Sequence, residues 1–208
     1  MGGVTVVVAT YGNESVWGPR SLVAVASARA SGADDVIRVH GPSLHDARDG
    51  AVARVETEWM IHLDADDTLP PGYCDVTRDL IGDDPVADVH VPAVAYTRGG
   101  RRGQPWIPRV SGHAHDCEGE CLPYGNWVVI GAPVRTRFVR DAGGWRDWPV
   151  YEDWCMWLRV FQEGAVFRRA PGLVYEAVTH PMGRNRAGRS LGWDTHRRIA
   201  MEYGVPVP

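Results

Sequence analysis

The chain has 208 residues with 44% hydrophobic content, enough for one sizeable core and outside the range of disordered chains. Its formal net charge of -4 gives no reason to expect nucleic acid as a partner. All 22 basic residues are arginine, which excludes every mechanism that needs a lysine, including the P-loop phosphate site and Schiff-base chemistry.

The first half alternates strand and helix. "VTVVVA" (Val4–Ala9) reads as a buried parallel strand. "GPRSLVAVASARASG" reads as a helix, with Pro19 near its start and Gly32 past its end. "DVIRVH" (Asp35–His40) is a second strand and "LHDARDGAVARVET" a second helix. "WMIHLD" (Trp59–Asp64) is a third strand, and "VADVHVPAVAY" (Val86–Tyr96) a fourth. This rhythm predicts an α/β fold, a Rossmann-like, mostly parallel sheet with helices on both faces. Ligands of such sheets bind beyond the carboxyl ends of the strands.

From Thr97 to Gly125 the pattern dissolves into Gly, Pro and charge, as in a functional loop. "NWVVIGAPVRTRFVRDAGG" then reads as a strand followed by a helix. "YEDWCMWLRVFQEG" is a strong helix, "AVFRRA" and "GLVYEAVTH" are short strands, and "RSLGWDTHRRIAMEYG" is a last helix. The expected organisation is a single domain over 1–208. Residues 1–96 form a first half, 97–126 an irregular loop, and 127–208 a smaller second half.

No stretch reaches the ~20 apolar residues of a membrane span. The N-terminus lacks the basic lead of a secretory signal, so the expected compartment is the cytoplasm. The cysteines Cys74, Cys117, Cys121 and Cys155 are accordingly expected as reduced thiols or metal ligands. "HAHDCEGEC" sets His113, His115, Cys117 and Cys121 within nine residues. These ligand types suit a structural Zn²⁺, at a spacing unlike a standard finger. The plain alternative is a polar loop.

"WMIHLDADDTLPPGY" drives an apolar strand into Asp64, Asp66 and Asp67 and then breaks at Pro70-Pro71-Gly72. Clustered carboxylates repel, and at a strand tip they suit a hard cation, Mn²⁺ or Mg²⁺. The plain alternative is an acidic surface turn. The D-x-D spacing is shared by two metal-dependent chemistries, haloacid-dehalogenase-type phosphatases and nucleotide-sugar glycosyltransferases. The phosphatase motif belongs on a first strand and uses a downstream lysine, and this chain offers neither.

Three stretches in order resemble glycosyltransferase family 2, with its GT-A fold. "VVVATYGNES" resembles the opening strand, V-V-I-P-T-Y-N-x-E. "ARDGAVARVETEWMIHLDADD" resembles A-R-N-x-G…A-x-G-E-Y-I-x-F-L-D-A-D-D. "GGWRDWPVYEDWCMWLRVFQEG" resembles G-G-F-D-E…E-D-x-D-L-W-L-R-x-x-x-x-G. The resemblance runs from Val4 to about His180.

It implies an inverting, metal-dependent transfer from a nucleotide diphosphate sugar, a UDP-sugar first, to a hydroxyl of a protein or glycan acceptor. Thr10, Tyr11 and Glu14 match the nucleobase-binding positions. Arg48 matches the arginine of A-R-N, with Asp49 in place of the asparagine. Asp64 would lie near the ribose. Asp66 would hold Mn²⁺ or Mg²⁺, and His180 would help at the metal or the diphosphate. Asp153 would be the general base, with Glu152 as its neighbour. Trp148 and Trp145 are the expected sugar or acceptor contacts, because an aromatic face suits a sugar ring. One departure is visible. The second strand ends "RVHGPS" where the family carries D-D-G-S, so the base contact is altered or supplied elsewhere. A non-catalytic sugar- or nucleotide-binding module is the remaining alternative.

Overall fold

The computed structural model describes residues 2–110, 118–179 and 189–205. Seven strands form one sheet: β1 (Val4–Tyr11), β2 (Asp35–Gly41), β3 (Trp59–Asp64), β4 (Val89–Arg98), β5 (Arg101–Arg102), β6 (Val134–Arg135) and β7 (Phe167–Val178). The order is β2-β1-β3-β6-β4, with β5 and β7 both paired to β4. β1 runs parallel to β2 and β3, and β4 parallel to β7. The short β6 is antiparallel to both β3 and β4, so β3 and β4 point the same way. Five strands therefore send their carboxyl ends to one side of the molecule.

Helices α1 (Glu14–Ala30), α2 (Leu44–Val52), α3 (Tyr73–Asp83), α4 (Thr136–Asp141), α5 (Glu152–Gln162) and α6 (Arg189–Tyr203) flank the sheet. β1 is buried at every position but its last, as a strand covered on both faces must be. Its valines join Trp59, Met60, Ile61 and Leu63 of β3 and the inner stripe of α5 in one core. Trp157 and Leu158 lie in that stripe.

Several elements differ from the sequence reading. α1 begins at Glu14 because Asn13 caps it, its side chain accepting from the Ser15 N–H at 3.0 Å. Pro19 therefore lies inside the helix. α3, unread in the sequence, starts directly after the Pro70-Pro71-Gly72 break. Residues 127–129 are apolar yet form no strand; the first strand there is β6. The two short strands after α5 are one, β7, whose register against β4 shifts between Pro92 and Ala93. The irregular stretch contains β5 and a 3-10 turn over Gly119–Tyr124.

Candidate functional site

The site lies where β1 and β3 end, α2 begins and α5 begins. A cleft of about 190 Å³ is bordered there by Tyr11, Ser43, His45, Arg48, Trp148 and Glu152 among others. Arg48 is its buried centre. Its Nη2 donates to Asp64 Oδ1 at 2.8 Å, and its Nη1 to Glu152 Oε1 at 3.1 Å. The guanidinium lies 4.0 Å from the centroid of the Trp145 ring, a cation–π contact. Burial works against its charge, but Asp64 and Glu152 outweigh burial and hold the group above its usual range.

Behind this centre the supports are also fixed. The Trp145 indole N–H donates to His62 Nε2 at 3.3 Å. Burial, and then Arg48, push His62 well below its ordinary pKa, so the ring is neutral and accepts. The Trp145 backbone N–H donates to Asp49 Oδ1 at 2.7 Å. Gly144 sits against this bond: a Cβ there would lie 2.4 Å from Asp49 Oδ1, and its φ of 72° suits glycine.

The three aspartates divide into separate environments. Asp64 is half-exposed and faces Arg48. Asp67 is buried. Its Oδ2 accepts from the Tyr175 hydroxyl at 2.7 Å and its Oδ1 from the Val178 N–H at 2.6 Å. Burial, followed by the charge of Asp64, pushes its pKa well up. Asp67 thus ties the β3 tip to β7, while Asp66 between them stays partly open.

At the start of α5, Glu152 is committed to Arg48, and Asp153 faces Asn126 instead. The Asn126 amide donates to Asp153 Oδ2 at 2.8 Å, and the Trp154 N–H donates to Oδ1 at 2.8 Å. Burial and the Glu152 charge push the Asp153 carboxyl up to about 6. The preceding Tyr151 has φ 62°, the one non-glycine residue with positive φ among the described residues. Such a conformation stores strain, here at the residue that aims Glu152 and Asp153.

The other expected residues are placed as follows. Thr10 is buried, and Tyr11 is exposed at the cleft. Glu14 pairs with Arg38 at 2.5 Å, and its Oε2 lies 2.5 Å from His40 Nδ1. His40 Nδ1 is also 3.0 Å from Thr10 Oγ1. Thr10 and Glu14 therefore form one cluster with His40, outside the cleft lining. Trp145 and Trp148 border the cleft but are only 3% and 9% exposed. His180, His113, His115 and Cys117 lie outside the described residues.

The zinc and reduced-thiol expectation needs correction at Cys121. That cysteine is disulfide-bonded, so its sulfur is no longer a thiolate ligand. Cys74 and Cys155 are free and buried. Sequence reasoning missed Asn126, His62 and Tyr175. Each acts through a partner at least 83 positions away or, for Asn126, 27 positions away beyond β6 and α4, and no local pattern marks them.

Among solved structures, the chain is similar to S. aureus TarS, residues 1–349, with TM-score 0.67 and 14% identity over 99% of this chain and 67% of that one. A complex of that protein with UDP-GlcNAc matches at TM-score 0.67 and 13% identity, over 99% and 68%. The mannosyltransferase PcManGT from Pyrobaculum calidifontis, in complex with GDP-Man and Mn²⁺, matches at TM-score 0.62 and 13% identity, over 97% and 64%. The chain spans 40% of a longer TarS structure. At such identities the likeness shows the fold. No curated protein sequence matches the chain significantly. The family described as "Glycosyl transferase family group 2" matches residues 59–191, from the first residue of β3 into α6, and the chain belongs to it.

Proposed function

We propose that the chain is an inverting, metal-dependent glycosyltransferase that moves a sugar from a nucleotide diphosphate sugar to an acceptor hydroxyl. The observation that carries this reading is the Arg48 bridge. It joins Asp64 at the β3 tip to Glu152 at the α5 start, beside a second carboxyl, Asp153, poised at about 6. Family membership sets the phosphatase alternative aside. The neighbours' UDP-GlcNAc and GDP-Man support a nucleotide-sugar donor.

Asp153 is ionised at neutral pH with a pKa near the working range, as a general base needs. Asn126 and the Trp154 N–H fix both of its oxygens, which sets the direction in which it accepts a proton. The acceptor hydroxyl loses that proton as it attacks the anomeric carbon opposite the leaving diphosphate, which inverts the centre. Arg48 holds Asp64 and Glu152 in place. Tyr11 at the cleft and the Thr10–Glu14–His40 cluster border the donor's base. His40 takes the place of the family's usual aspartate there.

The donor atoms of Asp64 and Asp66 are hard oxygens and fit Mn²⁺ or Mg²⁺. Among the described residues no three His, Cys, Asp or Glu side chains could hold a cation unaided. That matches a cation bound through one or two carboxylates plus substrate phosphates. Asp66 would be the main protein ligand. When bound, the cation neutralises charge building on the departing diphosphate.

Incubation with a panel of UDP- and GDP-sugars and Mn²⁺ tests the reading. Release of UDP or GDP that depends on Mn²⁺ is the expected result. Nucleotide binding with no turnover on any donor would leave a binding module instead.

A further inference from the structure

We propose that the stacked pair Tyr96 and Trp106 is an acceptor subsite that takes a sugar ring of a glycan against the open face of Trp106. This rests on the transferase reading above and names its acceptor class. Large aromatic side chains normally end inside. These two stand out, 42% and 46% exposed, with ring centroids 6.4 Å apart and planes 24° from parallel. Their backbone is fixed. The Trp106 N–H donates to Val94 O at 3.0 Å, the Val94 N–H to Trp106 O at 2.9 Å, and the Gly103 N–H to Tyr96 O at 2.9 Å. The platform is therefore held in place by ladder bonds to β4.

Its position is the reason to assign it. In a strand, the N–H groups of residues two apart point to the same side. The His90 N–H reaches Pro133, next to β6, and the Val94 N–H reaches Trp106. Trp106 thus occupies the β4 edge that faces β3, further toward the carboxyl ends, where Asp64 closes β3. A second chain of contacts leads to Asp153. The Arg169 guanidinium donates to Pro108 O at 2.5 Å and lies 4.2 Å from the Trp127 ring centroid. Asn126, next to Trp127, donates to Asp153.

The chemistry of the surface selects a sugar. A flat aromatic face meets the C–H face of a pyranose, and the hydroxyls on the ring's rim then need polar partners. On the route to Asp153, the Asn126 amide is such a group. Trp145 and Trp148, the sugar or acceptor contacts expected from the sequence, already carry the guanidiniums of Arg48 and Arg198 on their faces.

Cellotriose, maltotriose and triacetylchitotriose serve as probes, titrated against the 208-residue chain by saturation-transfer NMR. UDP and GDP binding with Mn²⁺ is measured in parallel by calorimetry. At least one trisaccharide should bind the wild type, and Trp106→Ala should weaken it by roughly tenfold, while Trp106→Phe, which keeps an aromatic face, should retain most of the affinity. Nucleotide affinity should be the same in all three proteins, which also shows that the variants are folded. Equal trisaccharide affinity in Trp106→Ala and wild type, or no binding of any of the three to wild type, overturns the platform. Failure of both nucleotides to bind the wild type is a different result; it sinks the transferase reading, and the acceptor role with it.

Discussion

Arg48 carries more of the site than any other residue, because one planar fork neutralises two carboxylates from distant parts of the chain. Removing one member of a buried ion pair strands the others. Arg48→Ala should therefore cost about 3 kcal/mol in urea unfolding at pH 7, the low end for such losses because Asp64 keeps some solvent. Arg48→Lys should recover less than half of this, since a single ammonium cannot span both acceptors. A loss below about 1 kcal/mol for Arg48→Ala would show that the bridge contributes little to the fold. Asp153 has the opposite sign. Its folded pKa of about 6 lies above its usual 3.8. Between about pH 4 and 6 the native state keeps a proton that the unfolded chain has lost, so rising pH removes stability through this group. Relative to wild type, Asp153→Asn should gain in melting temperature from pH 4 to pH 7. A constant difference across that range would contradict the raised pKa.

Among the elements, β7 holds the β3 tip in place through Tyr175. Its hydroxyl donates to Asp67 and accepts from the Asp64 N–H at 3.3 Å. The ring reaches that far only because Gly131 leaves room: a Cβ there would lie 2.0 Å from Tyr175 Cδ2. Tyr175→Phe should cost about 1–3 kcal/mol by leaving Asp67 under-paired. Gly131→Ala should cost a similar ~1–3 kcal/mol by overpacking. Both are read by chemical denaturation, and a neutral Gly131→Ala would show that the ring moves freely. This scale also shows what the sequence made legible. β3 is read residue for residue from its apolar run, and α5 is read from its capping glycine and helical apolar spacing. β7 is split in the reading because Pro171-Gly172 resembles a break, whereas the ladder absorbs both residues in a register shift. Residues 127–129 resemble a strand because they are apolar, yet an apolar run without a partner strand makes no ladder. The D-x-D and E-D positions are legible as motifs. The Arg48 bridge between them is not, since residues 104 apart meet only through the sheet topology.

At the scale of the whole molecule, the sheet sends five carboxyl ends to one side, and the site is assembled there from both halves of the chain. α2 supplies Arg48, β3 supplies Asp64 and the turn after it Asp66, and α5 supplies Glu152 and Asp153. Trp106 lies in a stretch that reads as irregular, because its backbone order comes from pairing with β4. The division of labour makes a sharp distinction between binding and chemistry. A general base acts on the acceptor in the transition state and adds little to donor affinity. The decisive measurement is the pH–rate profile of sugar transfer for wild type and Asp153→Asn, alongside calorimetry of UDP and GDP binding with Mn²⁺. Wild-type rate should rise through about pH 6 and level off above it. Asp153→Asn should bind nucleotide normally, lose about 10²–10⁴-fold in rate, and lose that inflection. Near wild-type transfer with the inflection intact in Asp153→Asn would contradict Asp153 as the base.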